Sequence, residues 1–160
     1  MMMEKVFPRR HVVRLGLTLG VLMVAGCSGG VAKAERLQMT VYRDPNCGCC
    51  EKWAAQAQQA GFDAKLMNDS DMLAVKRRFG VPDDLASCHT AVVSGYAIEG
   101  HVPLADVKRL LRDRPAGVKG LVVPGMPAGS PGMEMPDDTK EPFEVISFGS
   151  GRTGVFSKSA

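Results

Sequence analysis

The sequence carries almost no surplus charge once its first stretch is set aside. Residues 1–27 hold four of the 20 Lys and Arg side chains and one of the 17 Asp and Glu side chains, which leaves 16 of each sign. No basic stripe follows that would give an electrostatic footprint for nucleic acid. We therefore exclude nucleic acid as a partner.

The sequence also lacks an apolar run long enough to hold it permanently in a bilayer. The run at 15–24 is short and follows a basic start, which is typical of a secretory signal. It leads into Val24-Ala25-Gly26-Cys27, small residues that resemble the lipobox of bacterial lipoproteins. On this interpretation residues 1–27 are a lipoprotein-type signal, and Cys27 becomes the lipidated first residue of the mature chain. The alternative is cleavage at Ala32 or Ala34, with Cys27 discarded.

A lipid anchor at Cys27 would hold an exported protein on the periplasmic side of a bacterial envelope membrane. Cys27 is followed by Ser28 rather than by aspartate, which resembles sorting to the outer membrane. Residues 28–36 would then be a tether, and roughly 120 residues remain, enough for one domain with its own core. We expect that single domain at 37–157, with no membrane contact other than the anchor.

Strand and helix signals alternate along this domain. The predicted strands lie at 37–42, 62–67, 90–93, 96–99, 143–148 and 153–156. The predicted helices lie at 50–60, 71–79 and 104–114. The first seven elements, in the order β-α-β-α-β-β-α with cysteines after the first strand, indicate a thioredoxin-like α/β fold. A loop rich in Met, Gly and Pro at 122–136 and a C-terminal β-hairpin extend it.

The cysteines that remain after Cys27 are the informative residues. Cys47-Gly48-Cys49-Cys50 opens the first predicted helix, and a helix N-terminus stabilises a thiolate. Cys47 and Cys50 form a CxxC pair that is suited to disulfide exchange. A third thiol between them would interfere with such a catalyst, whereas for a thiophilic metal it is an additional ligand.

Cys88 is the second clue, because it stands beside His89 directly before the third strand of the proposed fold. Thioredoxin-like domains usually carry a cis-proline there, packed beside the cysteine turn. Here the nearest proline, Pro82, lies six residues earlier. We therefore predict that the Cys88 thiol and the His89 imidazole lie beside the cysteine turn.

Further soft ligands follow in the chain. Thiolates and thioethers select Cu(I), and imidazole is an acceptable partner. His101 lies just after the predicted hairpin, and Met126, Met133 and Met135 lie within ten residues of the loop. His101, Met126 and Met133 are additional candidate ligands. The alternatives are a hairpin or capping hydrogen bond for His101 and gap filling under the loop for the methionines.

Zinc is the competing metal, because four cysteines fit a closed tetrahedral site. Adjacent Cys49 and Cys50 project differently, however, so together they serve one ion poorly. Cysteines this crowded suit bridging between several ions, and we predict a copper cluster in preference to zinc.

Four motifs occur in order within about 38–157. They are Cys47-Gly48-Cys49-Cys50, Ser87-Cys88-His89-Thr90, Glu99-Gly100-His101-Val102-Pro103, and Pro124-Gly125-Met126-Pro127 continuing through Gly129-Ser130-Pro131-Gly132-Met133-Glu134. Together they resemble the exported CxCC copper-binding family that includes the bacterial copper-resistance protein CopG, whose sequences are often labelled only as a domain of unknown function.

The resemblance implies a thioredoxin-like domain in the Gram-negative envelope that binds copper. It implies that Cys47, Cys49 and Cys50 are ligands, with Cys88 and His89 as the matching Cys-His motif. It also implies a redox role, the interconversion of Cu(I) and Cu(II) during copper detoxification.

We therefore expect an envelope copper-binding protein in copper tolerance, with Cu(I) held by the CxCC thiolates in a multinuclear, redox-active cluster. Its partners would be copper ions and other envelope proteins that handle copper, and a binding protein is favoured over an enzyme. The alternative is a thiol:disulfide oxidoreductase that uses Cys47 and Cys50 on protein substrates. A third interpretation is structural, with two disulfides, of which one joins Cys47 or Cys49 to Cys88.

Overall fold

Strands and helices alternate along residues 36–159, the part of the chain that a computed structural model describes. The strands are β1 (Gln38–Arg43), β2 (Asp63–Asn68), β3 (His89–Val93), β4 (Tyr96–Glu99), β5 (Gly120–Val122), β6 (Phe143–Gly149) and β7 (Arg152–Ser159). The helices are α1 (Gly48–Gln59), α2 (Met72–Arg78) and α3 (Leu104–Asp113), with a 3₁₀ turn at Asp83–Leu85. The signal predicted at 1–27, including Cys27, and nearly all of the tether predicted at 28–36 lie outside the described residues. Over 36–159, no helix has both the length and the apolar character needed to cross a membrane.

The seven strands of this part of the chain form one sheet in the order β2-β1-β3-β4-β5-β6-β7. β1 runs parallel to β2, and β4 runs parallel to β5. The other neighbouring strands are antiparallel. The order of elements up to α3 is the thioredoxin-like order predicted from the sequence, and the α/β class is confirmed. β6 and β7 extend the sheet at one edge as the predicted C-terminal hairpin.

Helix α1 forms because its apolar side chains recur on one face. Cys50, Trp53, Ala54 and Ala57 are spaced for one side of a helix, and all four are buried. Gly61, with φ of +100°, supplies the left-handed residue that follows many helix ends. The helix therefore starts at the cysteine motif and presents Cys50 to the core.

A tight turn at Ser94-Gly95 brings the two ends of the β3–β4 hairpin into register. Both turn residues have positive φ, 48° and 83°, as a two-residue hairpin turn requires. In this register Thr90 lies opposite Glu99. The residues just before β3 and just after β4 consequently meet at one end of the hairpin.

Strand β5 is absent from the sequence prediction, which places Val122 at the start of a loop. The strand has three residues, all buried, and shows no alternation of polar and apolar side chains. The segment is a strand because it pairs with β4 in parallel and with β6 in antiparallel orientation. β5 is the link through which the C-terminal hairpin joins the thioredoxin-like sheet.

Candidate metal centre

Four cysteine sulfurs converge at the N-terminus of α1. Cys47 and Cys50 are joined by a disulfide, with Cα atoms 5.6 Å apart, while Cys49 and Cys88 are half-buried free thiols. The Cys49 sulfur lies 3.4 Å from that of Cys47 and 3.9 Å from that of Cys88, and the Cys50 sulfur lies 3.8 Å from that of Cys88. The predicted position of Cys88 beside the cysteine turn is confirmed. The structural interpretation predicts a disulfide from Cys47 or Cys49 to Cys88, and this prediction is wrong. Cys47 is bonded to Cys50, while Cys49 and Cys88 are both free thiols.

Two imidazoles extend this cluster on the Cys88 side. The Cys88 sulfur lies 3.3 Å from Nδ1 of His89 and 3.0 Å from Nε2 of His101. These three ligand atoms lie within 4.8 Å of one another, as do the four cysteine sulfurs among themselves. Cys88 therefore belongs to both groups and joins a sulfur half of the site to a nitrogen half.

His101 is held in the tautomer that a metal ligand needs. Its Nδ1 lies 2.8 Å from the carbonyl oxygen of Pro131, which can only accept, so Nδ1 carries the hydrogen. Burial lowers the pKa of His101, although the Pro131 hydrogen bond and the charge of Glu134 act in the opposite direction. The neutral ring thus keeps its Nε2 lone pair facing Cys88. A ligating histidine commonly has its other N–H fixed in this way by a carbonyl.

His89 is completely buried and packs against two rings. Its centroid lies 4.8 Å from that of Trp53 and 5.2 Å from that of His101. Burial holds the pKa of His89 well below its usual value, so the ring is neutral. Its Nε2 has no hydrogen-bond partner within residues 36–159. If the Nδ1 lone pair faces the sulfurs, the ring hydrogen is on Nε2, where it is buried without an acceptor. A bond from Nδ1 to a metal would offset the free-energy cost of that unmade hydrogen bond.

The Cys88 thiol resists ionisation in the absence of metal. Burial, followed by the charge of Cys49 and a hydrogen bond with it, raises the pKa of Cys88 to about 12. A metal that binds the Cys88 thiolate must therefore displace a proton at neutral pH.

Arg43, at the end of β1, fixes the cysteine turn to the sheet. Its Nη1 donates to the carbonyl oxygen of Cys47 at 2.8 Å, and its Nε donates to Oδ1 of Asn68 on β2 at 3.0 Å. Its Nη2 lies 2.9 Å from a carboxylate oxygen of Glu51 in the first turn of α1. One buried guanidinium therefore ties the turn, the helix and the sheet together.

The Met/Gly/Pro loop covers the other side of the turn. Gly132 has φ of +86°, and a Cβ atom there would lie 3.0 Å from both the Cys49 carbonyl oxygen and the Trp53 backbone nitrogen. Met133 and Met135 line a groove of about 580 Å³ that also reaches Cys49. Met126 does not line this groove, and 53% of its surface is exposed. The loop thus brings Met133 into the groove that reaches Cys49 and leaves Met126 exposed.

Comparison with known proteins agrees with these features. A family model described as "Protein of unknown function, DUF411" matches residues 85–133, which hold Cys88, His89, His101 and much of the loop. A solved structure of copper resistance protein CopG, form 2, is 42% identical, covers 79% of this chain and 100% of its own, and superposes with a TM-score of 0.74. The chain belongs to the CopG copper-resistance family. Form 1 of CopG is 44% identical, with 78% and 98% coverage and a TM-score of 0.73, and no curated protein matches the chain.

Beneath the site of this CopG-family chain lies a buried ion pair that sequence reasoning missed. One Glu99 carboxylate oxygen accepts from Lys76 Nζ and from the Ser87 backbone N–H, each at 2.6 Å. The other accepts from the Thr90 hydroxyl, also at 2.6 Å. The sequence did carry one sign of this buried pair: Glu99 is an acidic residue at the end of a short apolar strand, directly before Gly100-His101. The contacts of Arg43 with the Cys47 carbonyl oxygen and with Asn68 gave no signal, because one involves a backbone group and the other a residue 25 positions away.

Proposed function

We propose that this protein binds copper as Cu(I) and acts in copper tolerance in the bacterial envelope. The observation that carries the proposal is the convergence of four cysteine sulfurs and two neutral imidazoles at the N-terminus of α1. Thiolates are the ligands that Cu(I) prefers, and imidazole completes such sites. The two similar structures are of proteins named for copper resistance, which supports the same metal here.

The number of donors supports more than one ion. Cys47, Cys49, Cys50 and Cys88 supply four sulfurs, His89 and His101 supply two nitrogens, and the Met133 thioether lies in the adjoining groove. A single tetrahedral ion would leave several of these donors unused. Thiolates that bridge between ions use them all, so the proposal is a multinuclear, cysteine-bridged cluster.

The Cys47–Cys50 disulfide sets the order of events. Cys47 and Cys50 would bind copper as thiolates, so a thiol reductant from outside the chain would first reduce their disulfide to two thiols and be oxidised to its own disulfide. Cu(I) then displaces the thiol protons, including the proton that Cys88 holds at neutral pH. After loading, any electron exchange would be carried by the bound copper, each Cu(I) that is oxidised to Cu(II) passing one electron to an acceptor outside the chain.

The envelope location in this proposal is supported by residues 1–27, with their basic start, apolar run and lipobox-like end. Anchorage through Cys27 would leave the metal centre on a tether at the periplasmic face of a membrane, with the outer membrane favoured. Copper would be received from, and passed to, other envelope proteins that handle copper.

Metal loading with thiol counting tests the proposal. Purified protein is reduced, freed of reductant without oxygen, loaded with Cu(I) and washed with a competing Cu(I) chelator. We expect retained copper, together with protection of Cys47, Cys49, Cys50 and Cys88 from an alkylating reagent. Protein whose disulfide is left intact is the control and should retain less copper. Four reactive thiols with no copper retained would refute the proposal.

A thiol:disulfide oxidoreductase is the second candidate, and the Cys47–Cys50 disulfide favours it. The bond lies at a helix N-terminus in a thioredoxin-like fold, and Cys47 is half-buried whereas Cys50 is fully buried. Once the pair is reduced, Cys47 as thiolate would attack a substrate disulfide, and Cys50 would then attack the mixed disulfide, which releases the substrate as a dithiol and restores the Cys47–Cys50 disulfide. This function requires turnover of a peptide disulfide that survives the loss of Cys49 and Cys88.

A further inference from the structure

Glu99 lies between the two chain segments that carry the nitrogen half of the site. Its carboxylate accepts from the Ser87 N–H on one side of Cys88-His89 and from the Thr90 hydroxyl on the other. His101 follows Glu99 by two residues, and the Gly100 N–H donates to the carbonyl oxygen of His89 at 2.9 Å. One buried side chain therefore sets the position of Cys88 and His89 relative to His101.

Stability alone does not explain this arrangement. Glu99 is 0% exposed and Lys76 is 5% exposed, and removing two charges from water costs several kcal/mol per ion in real proteins. Well-packed apolar residues often replace such a buried pair with equal or greater stability. A carboxylate, however, accepts several hydrogen bonds at once and holds both ends of the Ser87–Thr90 segment, which an apolar side chain cannot do.

We propose that Glu99 is a positioning residue of the copper site, with the Lys76 ammonium as the buried partner of its carboxylate. This inference rests on the proposed function, because the property that Glu99 controls is the placement of the Cys88 thiol for metal binding. Glu99 contacts no copper itself. It acts through the backbone and hydroxyl groups on either side of Cys88-His89.

Glu99→Gln is the informative variant, because it keeps the size of the side chain and removes its charge. Groups that orient metal ligands change affinity by about 10- to 100-fold when they are lost, and we expect a loss of Cu(I) affinity in that range. We also expect a changed ultraviolet Cu(I)–thiolate absorption band. Glu144→Gln is the matched control, since Glu144 pairs with Lys158 on the β6–β7 hairpin and both side chains are substantially exposed.

The outcomes separate this inference from the proposed function. If wild-type protein retains no copper, the proposed function fails. If wild-type protein binds copper and folded Glu99→Gln protein binds it with the same affinity and the same absorption band, the positioning role is overturned. If Glu99→Gln does not fold, Thr90→Val decides, because it removes one hydrogen bond to Glu99 at nearly constant shape. A folded Thr90→Val protein should then bind copper several-fold more weakly with an altered band, and unchanged binding would overturn the role.

Discussion

The sulfur of Cys88 lies 3.0 Å from Nε2 of His101, although the two residues are 13 positions apart in the sequence. The β3–β4 hairpin creates this proximity, because Cys88 precedes its first strand and His101 follows its second. The same hairpin places Cys88 within 4 Å of the sulfurs of Cys49 and Cys50. A single thiol thereby connects the CxCC turn to the histidines, and the copper chemistry proposed above depends on that connection.

Replacing Cys49 by serine should separate the two candidate functions. Cys49→Ser leaves the Cys47–Cys50 pair intact and removes the thiol that approaches both Cys47 and Cys88. We expect most of the retained copper to be lost, because a bridging ligand is missing, while any turnover of a peptide disulfide should be unaffected. Copper is measured by elemental analysis after washing with chelator, and turnover by a peptide disulfide assay.

Met67→Leu is the control for this measurement, because Met67 is a sulfur-containing side chain on β2 with 49% of its surface exposed. Its copper content should equal that of the wild type. Full copper retention by Cys49→Ser would contradict the cluster and favour the oxidoreductase.

Two glycines of the Met/Gly/Pro loop give a matched test of its contact with the cysteine turn. Gly132 and Gly125 have similar positive φ angles, +86° and +69°, so alanine adds about 1–2 kcal/mol of backbone strain at either position. A Cβ at Gly132 would press on Cys49 and Trp53, whereas nothing lies within 4 Å of a Cβ at Gly125. Gly132→Ala should therefore weaken Cu(I) binding well beyond Gly125→Ala, and it should also lose more thermal stability, because the backbone at Cys49 and Trp53 must shift. Chelator competition and thermal melting measure the two effects, and equal copper affinities would show that the loop contact does not matter.

The metal-free protein with its Cys47–Cys50 disulfide intact should lose stability as the pH falls below about 6.5. Burial lowers the pKa of His89 far below 6.5, so the unfolded chain takes up a proton there that the folded chain does not. The free energy of unfolding therefore decreases on acidification, by at most about 1.4 kcal/mol per pH unit for each such group. His101, whose pKa is also lowered, acts in the same direction.

Urea unfolding at about pH 7 and about pH 5.5, compared with His89→Phe, isolates this contribution. Phenylalanine keeps a ring against Trp53 and cannot titrate, so the variant should show a shallower pH dependence. An identical slope in both proteins would mean that His89 gains its proton equally in the folded and unfolded states.

The sequence was most informative where structure is local. The helix after the CxCC motif and the Ser94-Gly95 turn depend on neighbouring residues, and both predictions are confirmed. The choice of Cu(I) by the soft cysteine ligands stays a prediction. The position of Cys88 followed from the order of elements, because that order fixes which strand ends meet. For His101 the predicted hairpin or capping hydrogen bond is not the one formed, since Nδ1 bonds to the Pro131 carbonyl oxygen in the loop, and metal binding through Nε2 stays a prediction.

The remainder required the tertiary structure. β5 is too short to show a pattern, and the Lys76–Glu99 pair joins residues 23 positions apart on α2 and β4. The Pro131 carbonyl that orients His101 is a backbone group, which no side-chain pattern reports. The exposure of Met126 depends on how the loop folds back over α1, and its spacing from Met133 could not reveal this.

The three contacts of Arg43 have a consequence for how readily metal is exchanged. Small zinc domains fold only when the ion is present, so losing the metal means losing the structure. Here the turn that carries Cys47 is held to β2 and α1 by a guanidinium, so the shape of the site is maintained by the protein itself. Under the proposed function, copper would arrive and depart as cargo, and each departure would leave behind a folded chain that can take up the next ion.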